Sequence, residues 1–205
     1  GFYVVSTNLS KLFVNFDINP NSYIFIHDLF WWIHLMIILS FAVYIPLSKH
    51  LHLLVSPLSF FFGIQSNSSG GIIDTPNNLE EMEVFGANNI QSFKPKQVMD
   101  FFACAVCGRC SEVCPTNLTE KKLSPMYLIN NLMNSTTTNY KDKNVGVIDE
   151  NVSRTEIWDC LNCGACVNEC PVGIDHISPI IDMRRHLVME KSEMPETAES
   201  TLLSL

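Results

Sequence analysis

Two cysteine motifs constrain this chain more than any other feature of its sequence. Each reads C-x2-C-x2-C-x3-C-P, and the second copy begins 56 residues after the first. All eight cysteines of the chain belong to this internal repeat, which is poor usage for a disulfide scaffold and typical of metal binding in a reducing, cytoplasmic setting. They are Cys104, Cys107, Cys110, Cys114, Cys160, Cys163, Cys166 and Cys170.

The spacing predicts how these thiolates are shared between two [4Fe-4S] clusters. Three cysteines of one motif surround one cluster, and the fourth binds the neighbouring cluster. A structural zinc protein is the alternative, but zinc does not explain a third cysteine followed by x3-C-P in both copies. The predicted sets are Cys104, Cys107, Cys110 and Cys170 for the first cluster, and Cys160, Cys163, Cys166 and Cys114 for the second.

Other residues near the motifs carry weaker signals. His176 follows the second motif at the predicted start of a helix, where capping or packing is favoured over ligation because eight ligands are already present. Arg184 and Arg185 are interpreted as charges on a solvated face that steer an acidic partner or contact lipid headgroups. The sequence contains no nucleophile-base pair, phosphate loop or Rossmann fingerprint, so no catalytic residue is assigned.

An apolar segment near the N-terminus predicts a transmembrane helix. The 20 residues between Asp28 and Lys49 include no Lys, Arg, Asp or Glu, about the length that spans a hydrocarbon core. We expect one helix at about residues 27–54, kinked but not ended by Pro46. Lys49 at its C-terminal end favours that side as cytoplasmic.

Changes in composition along the chain indicate four segments, and we expect a mainly α fold. We expect a membrane part at residues 1–62, a linker at 63–92, a dicluster ferredoxin domain at 93–190 and a further linker at 191–205. The net charge of −8 lies entirely in residues 64–205. Together with the charge of eight thiolates, this acidity argues against a nucleic-acid partner.

Histidines within the predicted membrane helix suit haem binding. His34 and His52 are 18 residues apart, which is five full turns of a continuous helix, so they would share a face about 27 Å apart along the axis. This arrangement suits one axial ligand for each of two b-type haems, with an interfacial histidine cluster as the alternative. His50 points to the opposite face and is interpreted as interfacial. His27 is interpreted as interfacial or near a quinone pocket.

The stretch from His34 to Pro57 resembles the last helix of the nitrate reductase gamma subunit. In that family two histidines 18 residues apart bind two haems b, and a Pro-x-Ser-basic element precedes the second histidine. The matching positions here are Pro46, Ser48, Lys49, His52 and Pro57. The resemblance implies that His34 and His52 are haem b ligands.

The 46-residue interval between Cys114 and Cys160 is too long for a compact β-hairpin ferredoxin. It resembles the α-helical ferredoxin domain of succinate dehydrogenase iron-sulfur subunits and of heterodisulfide reductase. This resemblance implies an α-helical fold around both clusters.

Residues 27–190 as a whole resemble the heterodisulfide reductase-related iron-sulfur proteins that act as membrane-bound electron-transfer-flavoprotein:menaquinone oxidoreductases. The resemblance implies a quinone-linked oxidoreductase in the cell (inner) membrane, with its clusters on the cytoplasmic side. Its partners would be electron-transfer flavoprotein, menaquinone and other membrane helices that supply the remaining haem ligands. The family's preceding helices and Cys-Cys-Gly motifs are absent from this sequence, so we expect a fragment or a chain completed by others.

Two further functions remain open at this point. One is an electron-transfer subunit of a heterodisulfide-reductase-like or sulfur-metabolising membrane complex. The other is a membrane-tethered dicluster ferredoxin without haem, which would be a carrier and not an enzyme.

Overall fold

The computed structural model describes Asn8, Lys11 and residues 20–62, 84–142 and 145–204. Helices dominate these residues, and an isolated β-bridge joins Ile148 and Val152. The prediction of a mainly α fold is thereby confirmed. The chain divides into two compact units, Gly1–Lys49 and His50–Leu205.

The first unit contains helix α1, Pro20–Tyr44. The segment Ser22–Leu47 is long and apolar enough to cross a membrane. Its large apolar side chains are exposed along the whole helix, among them Trp31, Trp32 and Phe41. Such a surface suits a hydrocarbon surrounding, in which apolar side chains need no protein partner.

The helix predicted at about residues 27–54 is not continuous. Helix α1 ends at Tyr44, and two 3₁₀ turns follow at Ile45–Leu47 and Lys49–Leu51. Pro46 has no N–H to continue the helical ladder. The extended backbone of Ser48 separates the two turns, and its amide and hydroxyl both donate to the carbonyl oxygen three residues earlier. The prediction that Pro46 only kinks the helix was therefore wrong.

Helix α2, His52–Phe62, opens the second unit and packs against helix α3, Pro95–Ala103. Ser56 Oγ donates to the Ala103 carbonyl at 2.8 Å. Ser59, 1% exposed, donates its hydroxyl to the Asp100 carboxylate. Residues 50–62, which the sequence assigns to the membrane part, therefore fold together with the cysteine-bearing unit.

The opposite face of α2 is apolar and exposed. Exposed leucine and phenylalanine side chains cover this face. They are Leu53, Leu54, Leu58, Phe60, Phe61 and Phe62.

The end of the predicted linker 63–92 packs against the core. Residues 63–83 lie outside the described residues, but Ala87 and Ile90 are buried. The Ala87 amide donates to the Asp182 carbonyl at 2.9 Å. At Gly86, with φ +74°, a Cβ atom would lie 2.2 Å from the same oxygen, so only glycine fits this close approach.

Short helices build the rest of the second unit. Their bounds are α4 Arg109–Glu112, α5 Pro115–Leu118, α6 Pro125–Asn139, α7 Arg154–Asp159, α8 Ala165–Glu169, α9 Ile177–Arg185 and α10 Glu196–Leu203. Proline at the first helical position starts α3, α5 and α6, and a Ser153–Glu156 capping box starts α7. A π-helical turn, His186–Glu190, follows α9, and α10 lies within the segment predicted as a linker at 191–205.

The core lies between α3, α6, α7 and α9. Phe93 and Phe101 meet edge to face with ring centroids 5.5 Å apart. Aliphatic side chains spaced three or four residues apart on α6 and α9 fill the remaining volume, as expected for amphipathic helices. The main members are Leu128, Ile129, Leu132, Ile157, Ile174, Ile180, Met183 and Leu187.

Candidate iron-sulfur centre

The two cysteine motifs have the same backbone conformation. Val106 and Asn162, which are 56 residues apart, have φ values of +53° and +54°. Gly108 and Gly164 have φ values of +85° and +79° and precede α4 and α8. The sequence repeat is thus also a structural repeat, with two left-handed residues in each copy.

The left-handed residues aim backbone amides at the first cysteine of each motif. The Asn162 amide donates to Cys160 Sγ at 3.4 Å. A backbone hydrogen bond from Val106 likewise lowers the pKa of Cys104, although burial raises it more. Donors of this kind stabilise a thiolate. The conformation of Val106 could not be predicted from its residue type, because a β-branched residue rarely adopts positive φ.

The thiols predicted to bind the first cluster lie together. Burial raises the pKa of Cys110 to about 11, and the neighbouring Cys104, Cys170 and Cys107 add to the rise. The charges of Cys170 and Cys107 likewise raise the pKa of Cys104. The last cysteine of the second motif therefore lies with the first three of the first motif.

The thiols predicted to bind the second cluster are grouped in the same way. Burial raises the pKa of Cys166 to about 12, with further contributions from Cys160, Cys114, Cys110 and Cys163. Cys114, Cys160, Cys163 and Cys166 also line one cavity. Because Cys110 of the first group also raises the pKa of Cys166, the two groups are adjacent.

Hydrogen bonds attach the end of each motif to the start of the other. Thr116, two residues after Cys114, donates to the Asp159 carbonyl at 3.0 Å. Gln97 on α3 donates to Ser178 Oγ at 2.8 Å, which ties the segment after the second motif to the helix before the first. These attachments explain how cysteines from the two motifs come together.

The eight thiols do not converge on a point. Within the part of the chain that the structure describes, no three His, Cys, Asp or Glu side chains are close enough to hold one metal ion. A cubane does not require such convergence, because each thiolate binds a different iron. Two sets of four thiols, partly buried and supplied with backbone donors, fit [4Fe-4S] clusters.

Arg184 is a site residue that the sequence did not identify as one. Its half-buried guanidinium donates to the Ile157 carbonyl at 2.8 Å and to the Cys160 carbonyl at 2.5 Å. It also stacks on Trp158, 5.2 Å from the ring centroid. Arg184 therefore holds the end of α7 and the first cysteine of the second motif, and is not a charge on a solvated face.

Asp175, and not His176, caps α9. The Asp175 carboxylate accepts from the amides of Ile177 at 2.9 Å and Ser178 at 3.1 Å. His176 makes no side-chain capping bond, and its ring is buried beside the cysteines of the second group.

The two predicted haem ligands belong to different units. His34 is exposed on α1, and His52 is the first residue of α2, with its ring 6.4 Å from the ring of His50. Because the helix is interrupted between them, the count of five helical turns no longer applies. Haem ligation by His34 and His52 stays a prediction.

Residues 96–171 match the family model described as a 4Fe-4S dicluster domain. The probable iron-sulfur-binding oxidoreductase FadF of Bacillus subtilis is 33% identical, over 85% of this chain and 30% of its own length. The EtfAB:quinone oxidoreductase of Syntrophomonas wolfei is also 33% identical, over 87% of this chain and 29% of its own length. A probable membrane-anchored ferredoxin of Chromohalobacter salexigens is 32% identical, over 54% of this chain and 20% of its own length.

No solved structure gave a significant match. The chain spans less than a third of the length of the two relatives at 33% identity. Both are named as oxidoreductases, and their similarity to this chain extends beyond the dicluster region on at least one side.

Proposed function

We propose that this chain is the electron-transfer part of a membrane-bound, quinone-linked iron-sulfur oxidoreductase that accepts electrons from, or donates them to, electron-transfer flavoprotein. The observation that carries the proposal is that one unit holds two groups of four thiols, in a chain that also contains a helix able to cross a membrane. The name of the Syntrophomonas wolfei relative supports flavoprotein and quinone as partners. Menaquinone is the quinone that the family resemblance favours.

The two cluster sites use crossed ligand sets. A [4Fe-4S] cluster supplies reversible one-electron chemistry. The protein supplies the thiolates, the amide donors of Val106 and Asn162, and the Arg184 guanidinium that bonds to the Cys160 carbonyl. The sets are Cys104, Cys107, Cys110 and Cys170, and Cys160, Cys163, Cys166 and Cys114.

The first cysteine group lies close to α2 within the second unit. Ser56 of α2 donates to the Ala103 carbonyl, next to Cys104. A Cβ atom on Gly173, three residues after Cys170, would touch the Phe60 ring at 4.0 Å. The second site has the exposed Leu161 and Cys163 beside it, which suits contact with a soluble flavoprotein.

His34 and His52 are proposed as axial ligands of two b-type haems. The Pro-x-Ser-basic element before His52 supports this, and helices outside this chain would supply the other ligand of each haem. Lys49 after the membrane helix supports a cytoplasmic position for the cluster unit.

The function is tested on the full-length protein in its native membranes. Reduction by electron-transfer flavoprotein should produce [4Fe-4S] EPR signals and b-type haem bands, and a menaquinone analogue should reoxidise both. Either His34→Ala or His52→Ala should remove the bands of one haem. His50→Ala is the matched control, because its ring lies next to His52 but no haem role is proposed for it. Failure of flavoprotein and quinone to exchange electrons with the clusters would refute the proposal.

A haem-free membrane-anchored ferredoxin is the second candidate. The name of the Chromohalobacter salexigens relative favours it. In that case the membranes would show the cluster EPR signals without Soret or α bands, and the histidine variants would change neither.

A further inference from the structure

Arg184 places a positive charge beside the second cysteine group. Within the described part of the chain, its guanidinium donates to backbone carbonyl groups, among them those of Ile157 at 2.8 Å and Cys160 at 2.5 Å. The carboxylate nearest to Cys160 along the chain, that of Asp159, pairs with Lys121 at 3.6 Å instead. Carbonyl groups hold a cation in position but carry no net charge. The charge of Arg184 is therefore fixed next to Cys160 and is not neutralised by that carboxylate.

The surroundings of Arg184 keep this charge permanent and close to the thiols. The guanidinium is half-buried and stacks on the Trp158 ring, 5.2 Å from its centroid. An arginine side chain in a protein stays protonated. Its charge acts on the nearest thiol, since burial raises the pKa of Cys160 and Arg184 opposes that rise.

Neither residue equivalent to Arg184 in the first copy of the repeat is charged. The residue 56 positions earlier is Leu128, and the residue at the same distance from the start of α6 is Leu132. Both leucines are 0% exposed. Arg109 lies in the first motif but is exposed, so water and salt screen its charge. Two motifs with the same backbone conformation therefore differ in the charge held beside them.

A fixed cation favours the more negative form of a nearby redox centre. Reduction of a [4Fe-4S] cluster adds one electron, and net charge and solvent exposure are among the factors that set its potential. A partly buried charge is screened less than a charge in water, so its effect on the reduced form is larger.

We infer that the charge of Arg184 raises the reduction potential of the second cluster above that of the first, so that a single electron resides on the second cluster in preference to the first. The inference rests on the two clusters of the proposed function. The electron comes from the flavoprotein or the quinol of that proposal. No proton moves, because the arginine is protonated before and after reduction.

EPR-monitored redox titration of the full-length protein in its membranes, under argon, tests the inference. Cys107→Ser and Cys163→Ser assign the two signals, and in the wild-type protein the second cluster should have the higher potential. Arg184→Gln should lower the equilibrium constant for reduction of the second cluster about tenfold, which is about 59 mV for one electron, and leave the first unchanged. A higher wild-type potential for the first cluster, or an unshifted second potential in Arg184→Gln, would overturn the inference.

Two further variants separate the charge of Arg184 from its contacts. Arg184→Lys keeps the positive charge but loses the planar guanidinium, so its second potential should stay close to the wild-type value. Arg109→Gln is the matched control, because it removes an exposed arginine, and it should change reduction of the first cluster by less than about twofold. Equal shifts in Arg184→Lys and Arg184→Gln would show that the contacts set the potential, and would overturn the inference.

Iron and sulfide contents of the same samples separate this inference from the proposed function. Wild-type protein without clusters would refute the proposed function itself. Clusters whose potentials do not respond to the charge at Arg184 would refute only the role of this residue. If Arg184→Gln does not retain the second cluster, the order of the two wild-type potentials and the potential in Arg184→Lys decide the outcome.

Discussion

Val106 and Asn162 occupy equivalent positions, yet they differ in how well they tolerate the conformation. Asn visits the left-handed region with little penalty, whereas a β-branched residue there is strained by about 1–3 kcal/mol. At both positions the backbone amide donates a hydrogen bond to the first cysteine of its motif. The first copy of the repeat therefore retains a strained residue that the second copy avoids.

Val106→Asn should stabilise the cluster-loaded protein by about 1 kcal/mol, or about 2–4 °C in the midpoint of thermal bleaching. The gain arises because the substitution relieves strain while keeping the backbone amide that donates to Cys104. Val113→Asn is the control, since Val113 has an ordinary φ of −97°. A change of the same sign and size in both variants would contradict the assignment of strain to Val106.

The cysteines themselves should react in an order set by burial. In protein stripped of iron, iodoacetamide at neutral pH should alkylate the exposed Cys107 and Cys163 first. Burial raises the pKa of Cys110 to about 11 and of Cys166 to about 12, so these thiols stay protonated and should react only as the pH approaches those values. Mass spectrometry of tryptic peptides gives the order.

Loaded protein should be protected at all eight cysteines. Rapid alkylation of any one of them in the loaded protein would remove that residue from the ligand sets.

Spacing alone was enough to predict the eight cysteines as cluster ligands, because the geometry of a cubane restricts which positions of one loop can reach it. Arg184 and His176 were not identified as site residues. Their contacts depend on how α9 packs against α7 and the second motif, and a single Arg or His in a sequence carries no sign of such tertiary contacts.

At the scale of elements, helix ends were harder to predict than helices. Apolar composition correctly indicated α1 but did not show where it ends. Helix α1 ends at Tyr44, just before Pro46, which lacks an N–H, and Ser48 closes the 3₁₀ turn that follows. The segment that forms α2 was assigned to the membrane part as an apolar, interfacial stretch, but Ser56 and Ser59 attach one of its faces to α3.

Helix α9 should be essential for the second cluster through Arg184. Arg184→Lys removes the planar guanidinium that reaches several carbonyl groups, at a cost of about 1–3 kcal/mol. We expect the second cluster to be lost faster in air while the first is retained, as measured by the decay of each EPR signal.

Arg185→Lys is the matched control for Arg184→Lys. Arg185 pairs with the Asp182 carboxylate at 2.9 Å, and lysine can still form an ion pair there. Its effect should therefore be small, about 0.5 kcal/mol or less. Equal losses in the two variants would show that Arg184 has no special role.

At the scale of the whole molecule, the two motifs form one interlocked centre and not two independent loops. Thr116 and Gln97 each bridge from one motif to the other. The sequence predicted this crossing only through the spacing rule, and the dicluster family match covers the same region. The membrane part was predicted less completely, because His34 and His52, expected on one continuous helix, lie in separate units.

Crossed ligation is the central claim, and EPR of serine variants tests it most directly. Cys107→Ser and Cys163→Ser should each alter the g values of a different cluster, which assigns the two signals. Cys114→Ser should then alter the signal that Cys163→Ser alters, and Cys170→Ser the signal that Cys107→Ser alters. If Cys114→Ser instead follows Cys107→Ser, each motif binds its own cluster and the account of an interlocked centre is wrong.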